Sequence, residues 1–305
     1  MHCPTLSNLP APPASKTGWP WTVGTPQLPL TMPDGLPWPR ISIVTPSYNQ
    51  GGFLEETIRS VLLQSYPNLE YLIIDGGSTD GSVDIIRKYA PWLAYWVSQP
   101  DQGQSEAINR GFKRASGTIY AWLNSDDTYL PSALETVAST KADWILGMVE
   151  GVDVLGNMLE VHEPQKYKHI LFDLCFKTEA CKDFLTAQPG NFWAKSLWET
   201  VGPLNESYHY IMDEDWILRA LALGFRPTFL SQRLARICYQ LDAKSTKLNW
   251  ALELERSREF YALTKQEAFR LWPTLLGSLY YFAKGLTLYP KAFLSQQIKM
   301  CRKIR

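Results

Sequence analysis

Ile41-Ser-Ile-Val-Thr-Pro-Ser-Tyr-Asn-Gln-Gly-Gly-Phe-Leu-Glu-Glu-Thr-Ile-Arg-Ser-Val-Leu62 changes hydrophobic period within its own length. The first five residues read as a short buried strand, and Leu54, Ile58, Val61 and Leu62 then recur at helical spacing. The pattern repeats outward from there, with strands expected over residues 71–74, 94–97 and 118–123 and helices over 82–89 and 105–115. Strands alternating with helices of this length imply right-handed crossovers and a mainly parallel sheet flanked by helices, an α/β fold of Rossmann-like type. Such sheets bind ligands beyond the carboxyl ends of their strands. The loops to inspect are therefore residues 46–52, 75–81, 100–103 and 124–128.

Beyond Pro131 the pattern is less regular. A short helix carrying Leu134, Val137 and Ala138 precedes a strand over 144–149, and Gly156-Asn157 marks a hairpin. Helices are expected near 195–201 and over 214–223, the second ended by Gly224. From Trp250 the chain reads as mostly helical. At the other end, ten of the 21 prolines precede Ile41, among Trp19, Trp21 and Trp38, with no steady period. That composition predicts an extended arm, partly disordered or laid over the domain. The organisation is thus an arm over 1–39, an α/β domain over 40–248 divided near residue 140, and a helical C-terminal extension over 249–305.

Bulk properties narrow the function. Thirty Lys and Arg balance thirty Asp and Glu, so no global basic field draws the chain onto nucleic acid. The five cysteines form no CxxC pair and suit reduced thiols, which together with the lack of a recognisable secretory signal predicts a cytoplasmic location. The uncharged stretch over 271–283 is 13 residues long, short of the roughly 18 to 20 that span a bilayer. Aromatics and leucines over 271–294, followed by Lys299, Arg302, Lys303 and Arg305, allow either peripheral contact with the inner, anionic membrane face or a packed appendage.

Asn124-Ser-Asp-Asp-Thr128 places adjacent carboxylates where a buried strand ends. Mg²⁺ or Mn²⁺ binds through few carboxylates plus phosphate oxygens and water, which makes Asp127 the first candidate ligand, with Asp126 sharing the ion or turned toward a ribose. Capping of the next helix explains the same residues. Asp75-Gly-Gly-Ser-Thr-Asp-Gly81 permits close backbone approach and offers Asp75 to a base edge, or is simply a glycine-rich turn. Tyr48 is a platform for a nucleobase or a packing residue. Met212-Asp-Glu-Asp-Trp216 opens an amphipathic helix whose acids suit the macrodipole, or supply a general base. There is no GxxxxGK[ST] phosphate loop and no GxGxxG spacing, and no His pair at metal-ligand spacing.

Taken together these segments resemble family 2 of the glycosyltransferases, inverting enzymes of the GT-A fold. The likeness is carried by the Ile41 segment, Leu-Ile-Ile-Asp75-Gly-Gly-Ser-Thr-Asp-Gly-Ser, Asp101-Gln-Gly-Gln-Ser105 and Leu123-Asn-Ser-Asp-Asp-Thr128, and extends through Gln188-Pro-Gly-Asn-Phe-Trp193 and Met212-Asp-Glu-Asp-Trp216. The resemblance implies that residues 40–140 bind a nucleotide sugar, a UDP-sugar in kind, and 141–248 the acceptor, a glycan or lipid-linked saccharide. It implies that Thr45, Pro46, Tyr48 and Asp75 hold the nucleobase and that Asp101, Gln104 and Asp126 also contact the donor. Asp126 and Asp127 would form the site for Mn²⁺ or Mg²⁺, and Asp213 would be the catalytic base. Asn124 stands where the family usually has an acid, and Asp242 where related sequences often carry His. Those departures leave a nucleotide-sugar-binding protein of weak activity as an alternative. A nucleotidyltransferase is a second.

Overall fold

A computed structural model describes residues 4–164 and 188–240. The expected C-terminal extension with its membrane contact, and Asp242, lie outside the described residues. Strand β1 (Ile41–Ser47) and β2 (Leu69–Asp75) are buried along their whole length, which is why their apolar runs do not alternate. Together with β3 (Tyr95–Ser98) and β4 (Ile119–Trp122) they form a parallel set in the order β3-β2-β1-β4. Helices α1 (Leu54–Leu62), α2 (Ser82–Tyr89) and α3 (Gln104–Phe112) make the crossovers. The α3 backbone lies so close to β1 that a Cβ at Gly111 would come within 2.4 Å of Val44 Cγ1.

The second half completes one mixed sheet. After β5 (Thr128–Tyr129) and α4 (Ala133–Ser139), β6 (Trp144–Asp153) and β7 (Met158–His162) form an antiparallel hairpin turning at Gly156, whose φ of +82° suits glycine. Strand β8 (Asn191–Ala194) inserts antiparallel between β4 and β6. Helices α5 (Lys195–Val201) and α6 (Met212–Ala222) follow, then β9 (Thr228–Tyr239), parallel to β6 and antiparallel to β5. Strand β9 has no counterpart in the sequence reading. Its Ser231, Gln232 and Arg233 are exposed while Leu234 and Ala235 are adjacent and buried, so it lacks the alternation that would reveal it.

One cluster of buried apolar side chains runs through both halves, from Ile43 and Leu72 to Trp144, Trp193 and Trp216. Trp193 packs on Trp216 with ring centroids 4.8 Å apart. The Pro-rich arm is laid over the domain: Leu9, Trp21 and Trp38 are buried, and the buried Arg59 of α1 donates to the carbonyls of Pro10, Pro20 and Trp21. Arg59 also faces the Trp21 ring, 5.3 Å from its centroid.

Candidate active site

The acid pair follows β4 in a tight turn, closed by Asp127 N donating to Asn124 O at 3.1 Å. Asp127 is buried, at 3% exposure, while Asp126 is half-buried. Asp127 Oδ1 accepts from Cys238 N at 3.3 Å, Asp127 Oδ2 accepts from Asn124 Nδ2 at 3.1 Å, and Asp126 Oδ2 accepts from Gln240 Nε2 at 2.6 Å. Burial pushes both carboxyls above their ordinary range, and the charge of Asp126 pushes Asp127 up further. Burial, then the two acids, also push the Cys238 thiol up to about 12, so a reactive thiolate is not built here.

Asn124 has a physical reason to be an amide. Its oxygen accepts from Gln104 Nε2 at 2.7 Å while its nitrogen donates to Asp127, a split role that an ionised carboxylate could not fill. Gln104, the first residue of α3, is thereby tied to the acid loop. Gln188 joins the same group, donating through Nε2 to Trp122 O and lying 3.4 Å from Asn124 Nδ2.

The loops after β1 and β2 are stitched together. Asn49 N donates to Ser78 Oγ, Thr79 N to Asn49 Oδ1, Gly51 N to Asp80 Oδ2 and Gln50 N to Ser82 Oγ. Tyr48 projects from this pair of loops at 62% exposure, an open ring face. Thr45 is buried with its hydroxyl bonded to Tyr71 OH at 3.0 Å, and Pro46 is buried beside it, so both face inward. Asp75 is buried as well. Its oxygens accept from Gly77 N, Ser78 N, Ser78 Oγ and Ser98 Oγ, which orders the glycine-rich turn. A cavity of about 640 Å³ lined by Ser78, Thr79, Trp96 and Ser98, among others, opens beside that turn.

Asp101 lies against the same turn: a Cβ on Gly76 would come within 2.8 Å of its Oδ2, which accounts for glycine there. Burial raises the Asp101 carboxyl, with Glu106 and Asp75 adding to the rise and Gly103 N and Arg110 opposing it. The segment before α6 reaches this region, since Ser105 Oγ donates to Tyr208 O and Gly103 faces His209. Asp213, half-buried in the first turn of α6, accepts from Glu214 N at 2.9 Å. Its neighbour Asp215 is buried in an ion pair with Arg219.

The structure therefore brings Gln104, Asn124, Asp126 and Asp127 together and sets Asp75 beside Asp101. Cys238, Gln240 and Thr57, whose Oγ1 donates to Asp127 O, have no local signal in the sequence, and Gln188 is marked only as the first residue of the segment Gln188-Pro-Gly-Asn-Phe-Trp193. Among the described residues no three His, Cys, Asp or Glu gather as metal ligands. A hard cation that keeps waters and phosphate oxygens needs only one or two carboxylates, and the mutually repelling Asp126 and Asp127 fit it. Among the described residues no helix is long and apolar enough to cross a membrane.

The model for glycosyl transferase family 2 matches residues 42–143, the span that carries the loops after β1, β2, β3 and β4. The chain is 38% identical over 100 residues to a Bacillus subtilis glycosyltransferase named for teichuronic acid biosynthesis, covering 32% of this chain and 40% of that one. It spans 37% of the length of a Nostoc glycosyltransferase that it also matches. In fold it is similar to Staphylococcus aureus TarS 1–349 in complex with UDP-GlcNAc, with a TM-score of 0.57, 18% identity and 72% and 66% of the two chains covered. A Pyrobaculum calidifontis mannosyltransferase in complex with GDP-Man and Mn²⁺ superposes with a TM-score of 0.51 at 18% identity over 85% and 83%. Both are GT-A structures in the arrangement of sheet and helices seen here. An uncharacterised glycosyltransferase of Mycobacterium tuberculosis is 32% identical over 191 residues, 60% of this chain and 69% of that one. With the matched span holding the acid pair and both stitched loops, the chain belongs to glycosyltransferase family 2.

Proposed function

We propose that the protein transfers a sugar from a nucleotide-diphosphate donor, a UDP-sugar, to a hydroxyl of a glycan or lipid-linked saccharide, with inversion at the anomeric carbon. The observation that carries this reading is the pair Asp126 and Asp127 at the carboxyl edge of the sheet, held by Asn124 Nδ2, Cys238 N and Gln240 Nε2. Residues 40–140 hold the donor and the second half of the domain the acceptor. The likeness to structures holding UDP-GlcNAc and GDP-Man supports the donor class, and the Bacillus relative supports a glycan acceptor.

The placement of each residue supports the role proposed for it. Tyr48 offers its exposed ring to the nucleobase. Asp75 acts mainly by shaping the turn that approaches the base, and Thr45 and Pro46 by supporting it from below. Asp101 and Gln104 line the donor side. Asp126 and Asp127 would hold Mn²⁺ or Mg²⁺, which when bound supplies positive charge to the leaving diphosphate. Asp213 accepts the proton of the attacking hydroxyl as its oxygen bonds to the anomeric carbon and the bond from that carbon to the diphosphate oxygen breaks. The helix N-terminus there favours a negative charge.

A calorimetric screen of UDP-, GDP- and other nucleotide sugars with Mn²⁺ tests the reading. A UDP-sugar should bind, and Asp127→Ala should weaken it at least about tenfold, consistent with loss of a carboxylate metal ligand. Equal affinity in wild type and Asp127→Ala removes the metal assignment. Release of pyrophosphate from a nucleoside triphosphate would instead favour nucleotidyl transfer.

A further inference from the structure

Helix α1 presents Thr57 and Ser60 at positions i and i+3 on one face, and Gln64 extends that face from the turn just past the helix end. That face holds main-chain groups of the segment leaving the acid pair. Thr57 Oγ1 donates to Asp127 O at 2.7 Å, Tyr129 N donates to Ser60 Oγ at 3.1 Å, Gln64 Nε2 donates to Leu130 O at 2.9 Å and Leu134 N donates to Gln64 Oε1 at 3.3 Å. The carbonyl between them, Tyr129 O, accepts from the arm: Trp19 Nε1 lies 2.9 Å away. Trp19 is itself held by the adjoining Pro20 and Trp21, whose carbonyls the buried Arg59 of the same helix takes. Thr57, Ser60 and Gln64 are buried, so these bonds are not exchanged for water.

Two adjacent carboxylates repel, and a loop free to relax would separate them. We propose that Thr57 and, through the arm, Trp19 are positioning residues that fix the backbone of the Asp126–Asp127 loop so that the pair meets a metal-bound diphosphate. The proposal rests on the donor site described under Proposed function. It makes the arm part of the working domain, since the same helix that follows the Tyr48 loop clamps both the arm and the acid loop.

The test uses the full chain with Thr57→Val, Thr57→Ser and Trp19→Phe, and follows UDP binding by calorimetry in EDTA and across a Mn²⁺ titration. Loss of one buried donor should raise the Mn²⁺ concentration for half-maximal UDP binding about five- to tenfold in Thr57→Val. Thr57→Ser, which keeps the hydroxyl, should stay within about twofold of wild type, and Trp19→Phe should rise about threefold. UDP affinity in EDTA should be unchanged in all three, which a loss of packing alone would not produce. Equal shifts in Thr57→Val and Thr57→Ser overturn the proposal. If Thr57→Val does not fold, an unchanged Mn²⁺ requirement in Trp19→Phe overturns it. Wild-type UDP binding that ignores Mn²⁺ removes the donor-site reading itself, and this inference with it.

Discussion

Asp215 and Arg219, one turn apart on α6, are locked together: Arg219 Nε donates to Asp215 Oδ2 at 3.0 Å and Nη2 lies 2.9 Å from the same oxygen. Arg219 also donates to the carbonyls of Val201 and Pro203, tying α6 to the end of α5. Asp213, two residues earlier and half-buried, takes no part in that lock.

The two acids should therefore fail in opposite ways. Asp215→Asn breaks a buried pair and should lose about 2 to 4 kcal/mol in urea unfolding, while its folded fraction keeps most of its transfer activity. Asp213→Asn should unfold near wild type and lose transfer by something on the order of 10² to 10⁴ in a single turnover. A fully active Asp213→Asn protein removes the base assignment.

Arg59 donates to three arm carbonyls and to Tyr89 OH from a fully buried position. Arg59→Met should strand those carbonyls and cost about 3 kcal/mol, with faster proteolytic cleavage inside residues 4–39. Wild-type proteolysis rates in Arg59→Met would show that the arm is held by its apolar contacts alone.

The acid pair makes metal-free stability depend on pH with a definite sign. Burial raises both folded-state pKa values above the unfolded ones, and Asp126 raises Asp127 further. The folded state thus binds these protons more tightly, so the contribution is fully present below the unfolded pKa and is lost as pH rises through the folded values. Asp126→Asn removes the mutual repulsion and should raise the metal-free melting temperature at pH 8 by about 2 to 4 °C. The two proteins should converge as pH falls toward about 4. Mn²⁺ affinity of wild type should increase with pH, because the ion displaces those protons. A melting difference that does not change with pH would remove the coupling between the two acids.

How much of this was legible in the sequence follows from the range of each interaction. The change of period at residues 41–62, the crossovers that follow, the helix at Lys195–Val201 and the hairpin at Gly156 are set by side chains two to four positions apart, and all are seen in the structure. The placement of Asn124, Asp126 and Asp127 at a strand end is local in the same sense. Strand β9 is not, because its partners β5 and β6 lie far back in the chain and its own side chains do not alternate. The residues that complete the acid loop are equally distant: Cys238 reaches Asp127 across 111 positions, and Gln240 reaches Asp126 across 114. Helical geometry alone puts Asp213 and Asp215 on different sides of α6. Only the packing of α6 on the end of α5 decides that Asp215 is sealed by Arg219, because burial depends on which surfaces meet and no local pattern encodes the partner.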